Sequence, residues 1–430
     1  MPSPLRPGLL RDPDFGRLFA ATAVGQLGDR IVFLALPLTA IVALDADEFH
    51  VGLLSALTTT GSLLAGLPAG AWVDRLRKRS VMIGTDLARA LALLTLPIAW
   101  WAGLLTVRWL FAIAVVHGAL TAFFDAAYAG CLPHLVGRDR LVEGNARLSA
   151  VRSVTSIGGP ALAGPLAGWA GAPATVVASA VGLAASGLLA TGIRKRERRP
   201  EAGVRPRLLR DIRDGLRFVL GHPVLRATAL GDAVFNLFLA LYQAMLLVFL
   251  RRELGLDSAG TGLVLSGMGC GALAGALAAG RLSARLGPGP VVWLAPLATC
   301  PLTALMPLAR PGWTLGVAAV GLAGLSLGGV VRVVAQSSIQ QALTPDRILG
   351  RMSATTRFLA CCSLPLGGLL GGAAGTALGA TATLWIGAAG MTLSFLPAFA
   401  SPLRGMRGAP GEEAPLPAGR PAWRPSRLRP

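Results

Sequence analysis

Twelve long apolar stretches separated by short polar turns constrain this chain more than any other feature of its sequence. A run of about 20 apolar residues can cross the hydrocarbon core of a bilayer, and backbone groups there must hydrogen-bond within their own segment, which requires helices. Only 14% of the residues are charged, against about 25% in soluble proteins. We therefore predict an all-α membrane protein. The predicted segments, numbered 1 to 12, are 18–44, 51–73, 80–105, 109–132, 146–169, 173–193, 223–250, 259–281, 288–309, 313–336, 356–378 and 381–401.

The basic residues are distributed unevenly between the two sides of this arrangement. If both termini lie inside, most of the 40 Lys and Arg residues fall on the inner side. Because basic loops are retained in the cytoplasm, we predict a bacterial inner-membrane protein with both termini in the cytoplasm. The net charge of +19 is then matched by anionic lipid headgroups, and no nucleic-acid partner is expected. The other basic residues are Arg108, Arg251, Arg252 and Arg310 outside, and Arg30, Arg89 and Arg332 within segments.

Polar stretches divide the chain into five parts. Residues 1–17 form a cytoplasmic N-terminus, 18–193 and 223–401 form two helical bundles, 194–222 form a cytoplasmic linker, and 402–430 form a tail. The linker has apolar residues at helical spacing near its end, which fits either an amphipathic helix on the inner membrane surface or a solvated connection. The tail is rich in Pro, Gly and Arg and is predicted to be disordered.

Short matches relate the first half of the chain to the second. Leu27-Gly28-Asp29 matches Leu230-Gly231-Asp232, and Asp139-Arg140-Leu141 matches Asp346-Arg347-Ile348. The offsets between matching positions stay nearly constant along six segments. We therefore predict twelve transmembrane helices in two pseudo-symmetric six-helix bundles, an architecture typical of transporters.

The turn after segment 2 combines glycine, acid and base at fixed offsets: Gly70, Asp74, Arg75, Lys78 and Arg79. Gly70 permits close contact between helices, and Asp74 can face the positive N-terminus of a neighbouring helix. Arg75 and Arg79 can pair with carboxylates at other helix ends. We interpret the turn as a latch that forms in one conformation and breaks in another. The alternative is a basic anchor that only sets the orientation.

With these residues, the chain resembles the major facilitator superfamily, although Arg77 and Ala284 replace the usual Gly and acid of its loop motif. Segment 5 resembles the antiporter signature of the family through Gly159, Pro160 and Gly164, with Ala163 in place of one glycine. The run from Leu132 to Asn145 is similar to the siderophore- and macrolide-exporter branch. The resemblance implies a central cavity lined by segments 1, 4, 7 and 10.

Segment 5 also contains two prolines, Pro160 and Pro165, which remove backbone donors and favour a kink. A kinked helix of small residues can pack tightly at the interface between bundles, and ordinary helix packing is the alternative.

Many proton-coupled relatives carry an arginine in segment 4, whereas the corresponding stretch here is Ala114-Val-Val-His117-Gly118.

Charged residues within the segments are the best site candidates, because each one is costly in lipid. Asp29 lies about 16 Å along segment 1, near the bilayer midplane. Arg30 or another cation can compensate its charge. Asp29 is our first candidate for protonation or for binding a cationic group, and a permanent structural ion pair is the alternative. Asp86 and Arg89 are three residues apart and are predicted to form a local pair.

Asp125 lies about 24 Å along segment 4, near the predicted inner mouth. The repeat places Arg332 of segment 10 opposite Asp125, so we predict that the two pair across the inner mouth in the outward-facing state. Asp232 and Asn236 lie one turn apart in segment 7. They provide polar contacts in the cavity or form a local hydrogen bond.

The predicted function is secondary active transport by alternating access, as proton-coupled efflux of a small amphipathic molecule such as a drug, siderophore or natural product. An importer on the same fold and a transport-inactive membrane sensor or scaffold are the alternatives. Five cysteines and four histidines lack metal-ligand spacing. We therefore expect no cofactor, metal or enzymatic activity, and a monomer in the bilayer.

Overall fold

In the computed structural model of the chain, every regular secondary-structure element among the described residues is a helix. The described ranges are 9–73, 75–137, 140–195, 208–310, 312, 314–344 and 346–406. The first set of helices comprises α1 (Pro13–Leu38), α2 (Glu48–Val73), α3 (Lys78–Trp101), α4 (Val107–Val136), α5 (Leu141–Ala170) and α6 (Ala172–Thr191). The second set follows a connecting helix, α7 (Leu208–Gly221), and comprises α8 (Pro223–Val248), α9 (Ser258–Leu286), α10 (Pro288–Thr299), α11 (Thr314–Leu343), α12 (Asp346–Leu378) and α13 (Ala380–Leu393).

Each predicted segment coincides with one of these long helices, but several ends differ. α12 begins at Asp346, ten residues before the predicted start, and α1 begins at Pro13, inside the predicted cytoplasmic N-terminus. Asp12 caps α1 by accepting a hydrogen bond from the Asp14 amide at 2.9 Å, as acidic N-caps do. α10 is shorter than segment 9, because a 3₁₀ turn at Cys300–Leu305 replaces its last part. An apolar stretch shows which residues lie within the membrane, whereas the helix itself can continue into the polar sequence on either side.

Helix ends show which way each helix runs. At the start of α1, Arg17 donates a 2.6 Å hydrogen bond to the Gly192 carbonyl, which follows α6. Lys195 reaches the Leu135 carbonyl at the end of α4 with its side chain, at 2.9 Å. We call this end of the molecule, where α1 begins, the proximal end and the opposite end the distal end. Successive helices alternate between them.

The two sets pair their helices in the same pattern. In the first set α1 packs on α5 and α6, and α2 packs on α4; in the second set α8 packs on α12 and α13, and α9 packs on α11. The sets meet where α2 packs on α12 and α5 packs on α9. The internal repeat therefore corresponds to a repeat in helix packing. By length and hydropathy, ten helices of the described residues are able to cross a membrane.

The second part of the linker forms a helix in the structure. Residues 208–221 form the helix α7, and its position on a membrane surface stays a prediction. Val219 of α7 is buried against Leu225 of α8 and Met352 of α12, which fixes α7 to the second set. Residues 196–207 lie outside the described residues.

The predicted disorder from residue 402 is wrong for the first part of the tail. Pro402–Gly405 forms a 3₁₀ turn, and Leu403 is completely buried. The Gly289 amide donates a 3.2 Å hydrogen bond to the Met406 carbonyl. An apolar side chain and a backbone hydrogen bond thus hold this stretch against α10. Residues 407–430 lie outside the described residues.

Candidate functional site

Asp29 of α1 lies inside the first set of helices and forms an ion pair with Arg89 of α3. One guanidinium nitrogen of Arg89, Nη1, donates to Asp29 Oδ1 at 3.0 Å and Oδ2 at 3.2 Å. The Arg89 side chain is 1% exposed, whereas that of Asp29 is 25% exposed. The structure therefore shows an ion pair at Asp29 in this conformation, and its hydrogen-bonded partner is Arg89, a cation other than the neighbouring Arg30.

Several groups hold Arg89 in place. Its Nη2 donates to Asp86 Oδ1, which confirms the predicted local pair, and its Nη1 also lies 3.2 Å from Thr121 Oγ1 of α4. Ser186 of α6 donates a 2.7 Å hydrogen bond to Asp86 Oδ2. The guanidinium carbon lies 4.7 Å from the centre of the Phe124 ring, a cation–π arrangement. Arg89 is thus oriented by α3, α4 and α6 before it reaches Asp29.

His117 of α4 is a further titratable group close to this pair. Its Nε2 atom lies 3.7 Å from Asp29 Oδ1, and that atom is buried without a hydrogen-bond partner among the described residues. His117 therefore faces the carboxylate while being shielded from solvent.

The second set contains a comparable pair around Asp232 of α8. Arg332 and Gln336, one turn apart on α11, donate to the two carboxylate oxygens of Asp232. The guanidinium carbon of Arg332 lies 4.6 Å from the centre of the Phe235 ring. Asn236 Nδ2 donates to the Asp232 backbone carbonyl at 2.9 Å. Asn236 thus forms the local hydrogen bond that was one of its two alternatives.

The two clusters are related by the repeat but are not equivalent. Asp29 and Asp232 occupy matching positions in the sequence, and each pairs with a buried arginine stacked on a phenylalanine. However, Arg89 comes from the third helix of its set and Arg332 from the fourth. The Asp232 side chain is 11% exposed and has two side-chain partners, so Asp29 is the more accessible carboxylate.

Asp125 and Arg332 do not pair in this conformation. Arg332 binds Asp232 instead, and Asp125 Oδ2 lies 3.8 Å from Arg357 Nη2 of α12. Both members of that pair are exposed, at 50% and 76% of their side chains. In this conformation Asp125 thus contacts the second set through Arg357. The Asp125–Arg332 pair stays a prediction for the outward-facing state.

The glycines of segment 5 lie in close contacts between helices. α5 runs through both prolines as one helix, and the kink that they favour stays a prediction. A Cβ at Gly159 would collide with Arg30 Cβ of α1, and one at Gly164 would collide with the Ser258 carbonyl oxygen of α9. The Pro160 carbonyl approaches Gly262 of α9 in the same way. These residues therefore allow α5 to pack closely on α1 and across to the second set.

The latch residues of the turn after α2 have separate surroundings. Asp74 lies outside the described residues, and Arg75 is exposed. The Lys78 side chain lies against Gly130 of α4. Arg79 donates to carbonyl oxygens at the end of α6, at 3.1 Å to Ala190 and also to Thr191. Arg79 thereby joins α3 to α6 at the proximal end, within the first set.

Gly70 itself makes none of the close contact that was predicted for it in this conformation. A Cβ added at Gly70 or at Gly66 would meet no described atom within 4 Å, and the same holds for Gly280 of α9. In contrast, a Cβ at Gly271 or Gly275 would collide with the backbone of α11. The latch therefore stays a prediction for another conformation.

The structure adds contacting residues to these charge clusters that the sequence interpretation did not select. Arg89 had been marked as an embedded charge but assigned only to Asp86. Arg357 lay at a predicted segment end, and Gln336, Ser186 and Thr121 carried no signal apart from their polarity. The helical spacing of Arg332 and Gln336 was the one pattern that could have joined Gln336 to the site.

Long apolar helices with charges paired between them in the interior are typical of polytopic membrane transporters. The chain belongs to the transmembrane secretion effector family, MFS_3, of the major facilitator superfamily, since the family model matches residues 3–417. The resemblance to the siderophore and drug exporter branch is confirmed. The chain is 29% identical over 378 residues to the multidrug efflux pump Tap of Mycolicibacterium fortuitum, covering 85% of this chain and 90% of Tap. It is 27% identical over 352 residues to the enterobactin exporter EntS of Escherichia coli, covering 79% and 80%.

Solved structures share the fold at low sequence identity. A bacterial homologue of the iron transporter ferroportin in its inward-facing state has a TM-score of 0.71 and 17% identity, and the match covers 91% of this chain and 99% of that chain. The outward-facing state of a bacterial ferroportin homologue has a TM-score of 0.60 at 17% identity, over 90% of this chain and 98% of that one.

Proposed function

We propose that the chain is a twelve-span secondary transporter that exports a small amphipathic molecule in exchange for protons by alternating access. The observation that carries this proposal is Asp29, a partly exposed carboxylate within α1 that is held by the single buried guanidinium of Arg89. An embedded ionisable residue of this kind is costly and typical of proton or substrate pathways.

The twelve-span topology is supported by length and packing. Ten helices have the length and hydropathy of a membrane span. The remaining two long helices, α2 and α5, are 26 and 30 residues long and pack within the same assembly. The basic proximal end, with Arg75, Arg79 and Arg194, is assigned to the bacterial cytoplasm, which places both termini inside and the distal end outside.

Alternating access is supported by where the two sets of helices touch. Gly52 at the start of α2 packs on Gly372 near the end of α12, and Gly164 packs on Ser258, all toward the distal end. Gly70 and Gly280, toward the proximal end, face open space. The arrangement fits an inward-facing state, and the higher TM-score with an inward-facing relative points the same way.

Proton coupling through Asp29 is supported by the asymmetry of the two clusters. When Asp29 is ionised, it is bound to Arg89; when it takes up a proton, it loses its charge and Arg89 keeps Asp86 as its partner. Asp232 has Arg332 and Gln336 as partners and little exposure, so we assign it a permanent structural pair. In this scheme one carboxylate exchanges protons and cargo binding responds to its charge. Tap and EntS, which are named as exporters, support the outward direction.

The proposal is tested with ethidium, an amphipathic fluorescent cation, in everted membrane vesicles energised by a proton gradient. Wild-type vesicles are expected to accumulate ethidium, and Asp29→Asn vesicles to lose the gradient-driven part. Glu143→Gln, which alters a half-exposed carboxylate at the start of α5, is the control and is expected to behave as wild type.

Undiminished gradient-driven accumulation by Asp29→Asn would overturn coupling through this residue. Accumulation only in right-side-out vesicles would identify an importer. Equal accumulation with and without the protein, in both orientations, would contradict transport of amphipathic cations.

A further inference from the structure

The corner that follows the first helix of each set has the same backbone in both sets. A π-helical turn, Thr39–Ala43 in the first set and Phe249–Glu253 in the second, continues the first helix. A residue with positive φ comes next, Asp45 at 46° and Gly255 at 62°. Both corners lie at the distal end and are related by the repeat.

The side chains of the two corners differ, and only one corner reaches across to the other set. Arg252 of the second corner donates to Glu48 Oε1 at 2.8 Å, to the Ala46 carbonyl at 2.9 Å and to Asp45 Oδ1 at 3.1 Å. The residue that matches Arg252 in the first corner is Val42, an uncharged residue. The charged bridge therefore lies on one side of the pseudo-symmetric molecule only.

Glu48 is placed where the two sets touch. It begins α2, and its Cβ lies 3.1 Å from the position that a Cβ at Gly375 of α12 would take. Its side chain is 25% exposed, whereas that of Asp45 is 96% exposed. Because water screens the exposed pair more strongly, Glu48 and the Ala46 carbonyl provide most of the hold on Arg252.

We propose that Arg252, Glu48 and Asp45 form a distal clamp that holds this end closed and sets the balance between the inward-facing and outward-facing states. Separating α2 from α8 and α12 at the distal end breaks the bridge. The inference rests on the proposed alternating access, but not on the direction of transport, the cargo or the coupling ion.

Arg251 provides a matched control for Arg252. It lies in the same π-helical turn and carries the same charge. However, it donates to the Leu256 carbonyl of its own corner. Removing Arg251 thus removes an equal charge from the distal end without touching the other set.

The clamp is tested by hydrogen–deuterium exchange of the full chain in lipid nanodiscs. Arg252→Ala is expected to increase exchange at the distal ends of α2 and α12, peptides 48–60 and 366–378. It is expected to decrease exchange at the proximal ends of α4 and α9, peptides 125–136 and 276–286. We expect a roughly fivefold rise in the outward-facing population, the scale of a few partly exposed charged contacts. Arg251→Ala is expected to leave both ends as in wild type.

Charge exchange separates a clamp from a loss of folding. Arg252→Glu combined with Glu48→Arg is expected to return the exchange pattern toward wild type, whereas each single reversal opens the distal end. The clamp is overturned if Arg252→Ala and Arg251→Ala exchange alike, if the double reversal does not recover, or if exchange rises at both ends, which indicates general destabilisation. Because these readouts need neither cargo nor a proton gradient, they stand apart from the ethidium test.

Discussion

At the scale of single residues, Arg89 is the centre of the N-terminal charge cluster. It is buried and bonded to carboxylates from two helices, Asp29 and Asp86. Removing one partner of a buried ion pair leaves the other charge uncompensated, which typically costs about 3–5 kcal/mol. The arginine therefore serves both stability and the proposed proton exchange, because it holds the ionised form of Asp29.

We predict that Arg89→Gln lowers the thermal denaturation midpoint in detergent strongly, consistent with a loss of about 3–5 kcal/mol. Arg357→Gln is the matched control, since Arg357 is 76% exposed and lies 3.8 Å from its carboxylate. It is expected to leave the midpoint close to that of wild type. Asp29→Asn is expected to cost less than Arg89→Gln, because the Asp86–Arg89 pair survives. Equal midpoints for Arg89→Gln and Arg357→Gln would contradict the central role of Arg89.

The sequence identifies which charges matter but not how they pair. The cost of ionised groups in lipid marks Asp29, Arg89, Asp232 and Arg332 without any structure. The partner of Asp29, however, depends on how α1 and α3 are rotated relative to each other. Asp29 and Arg89 are 60 positions apart in the sequence. The sequence therefore left the counter-charge open between Arg30 and another cation, and the structure shows Arg89 as the hydrogen-bonded partner.

At the scale of helices, small residues allow the two sets to approach closely. In membranes, helices associate through van der Waals packing of small side chains. Gly164 of α5 lies against the backbone of α9 at Ser258 and Gly262. Gly168, one turn later on α5, faces open space. α5 thus contains one glycine in a close helix contact and another with no described atom near its Cβ position.

We predict that Gly164→Ala destabilises the protein by about 1–3 kcal/mol, because an added Cβ overpacks a contact with backbone atoms. Gly168→Ala, its control, is expected to be neutral or slightly stabilising, since alanine favours helix more than glycine. The thermal denaturation midpoints of both variants check this. A midpoint for Gly164→Ala at or above that of Gly168→Ala would show that the interface adjusts freely.

The presence of each long helix could be predicted from the sequence, whereas the residues at which the helices begin and end could not. Length of apolar sequence gives each helix because lipid leaves the backbone no other partner. The apolar sequence ends at the membrane boundary, so it does not predict the first ten residues of α12, which extend beyond the apolar stretch. Pro160 and Pro165 remove backbone donors, yet α5 continues through both, since neighbouring helices and side chains can compensate lost backbone hydrogen bonds in membrane helices.

At the scale of the whole molecule, contacts between the sets are placed unevenly along the bundle. Glycine contacts and the Arg252 bridge join the sets toward the distal end, while Gly66, Gly70 and Gly280 face open space toward the proximal end. The repeat predicted two related halves, and the packing pattern agrees. Their relative tilt could not be predicted, because the same sequence must support at least two arrangements in alternating access.

The latch around Gly70 is a prediction for an arrangement that this structure does not show. If the proximal end closes during transport, α2 must approach the second set with its glycine face, and a side chain at Gly70 obstructs that approach. In the present conformation the same side chain meets open space. We therefore predict that Gly70→Leu leaves the thermal denaturation midpoint close to that of wild type but abolishes most ethidium transport.

Gly84→Leu is the matched control for this prediction. Gly84 lies in α3 of the same set, is exposed, and also has no described atom within 4 Å of an added Cβ. It is not part of the turn motif, so transport by Gly84→Leu is expected to stay near the wild-type rate. If both variants transport equally well, Gly70 needs no close contact in any state and the turn acts only as a basic anchor. If Gly70→Leu alone fails while its folding is preserved, the open face at the proximal end is a surface that closes during the cycle.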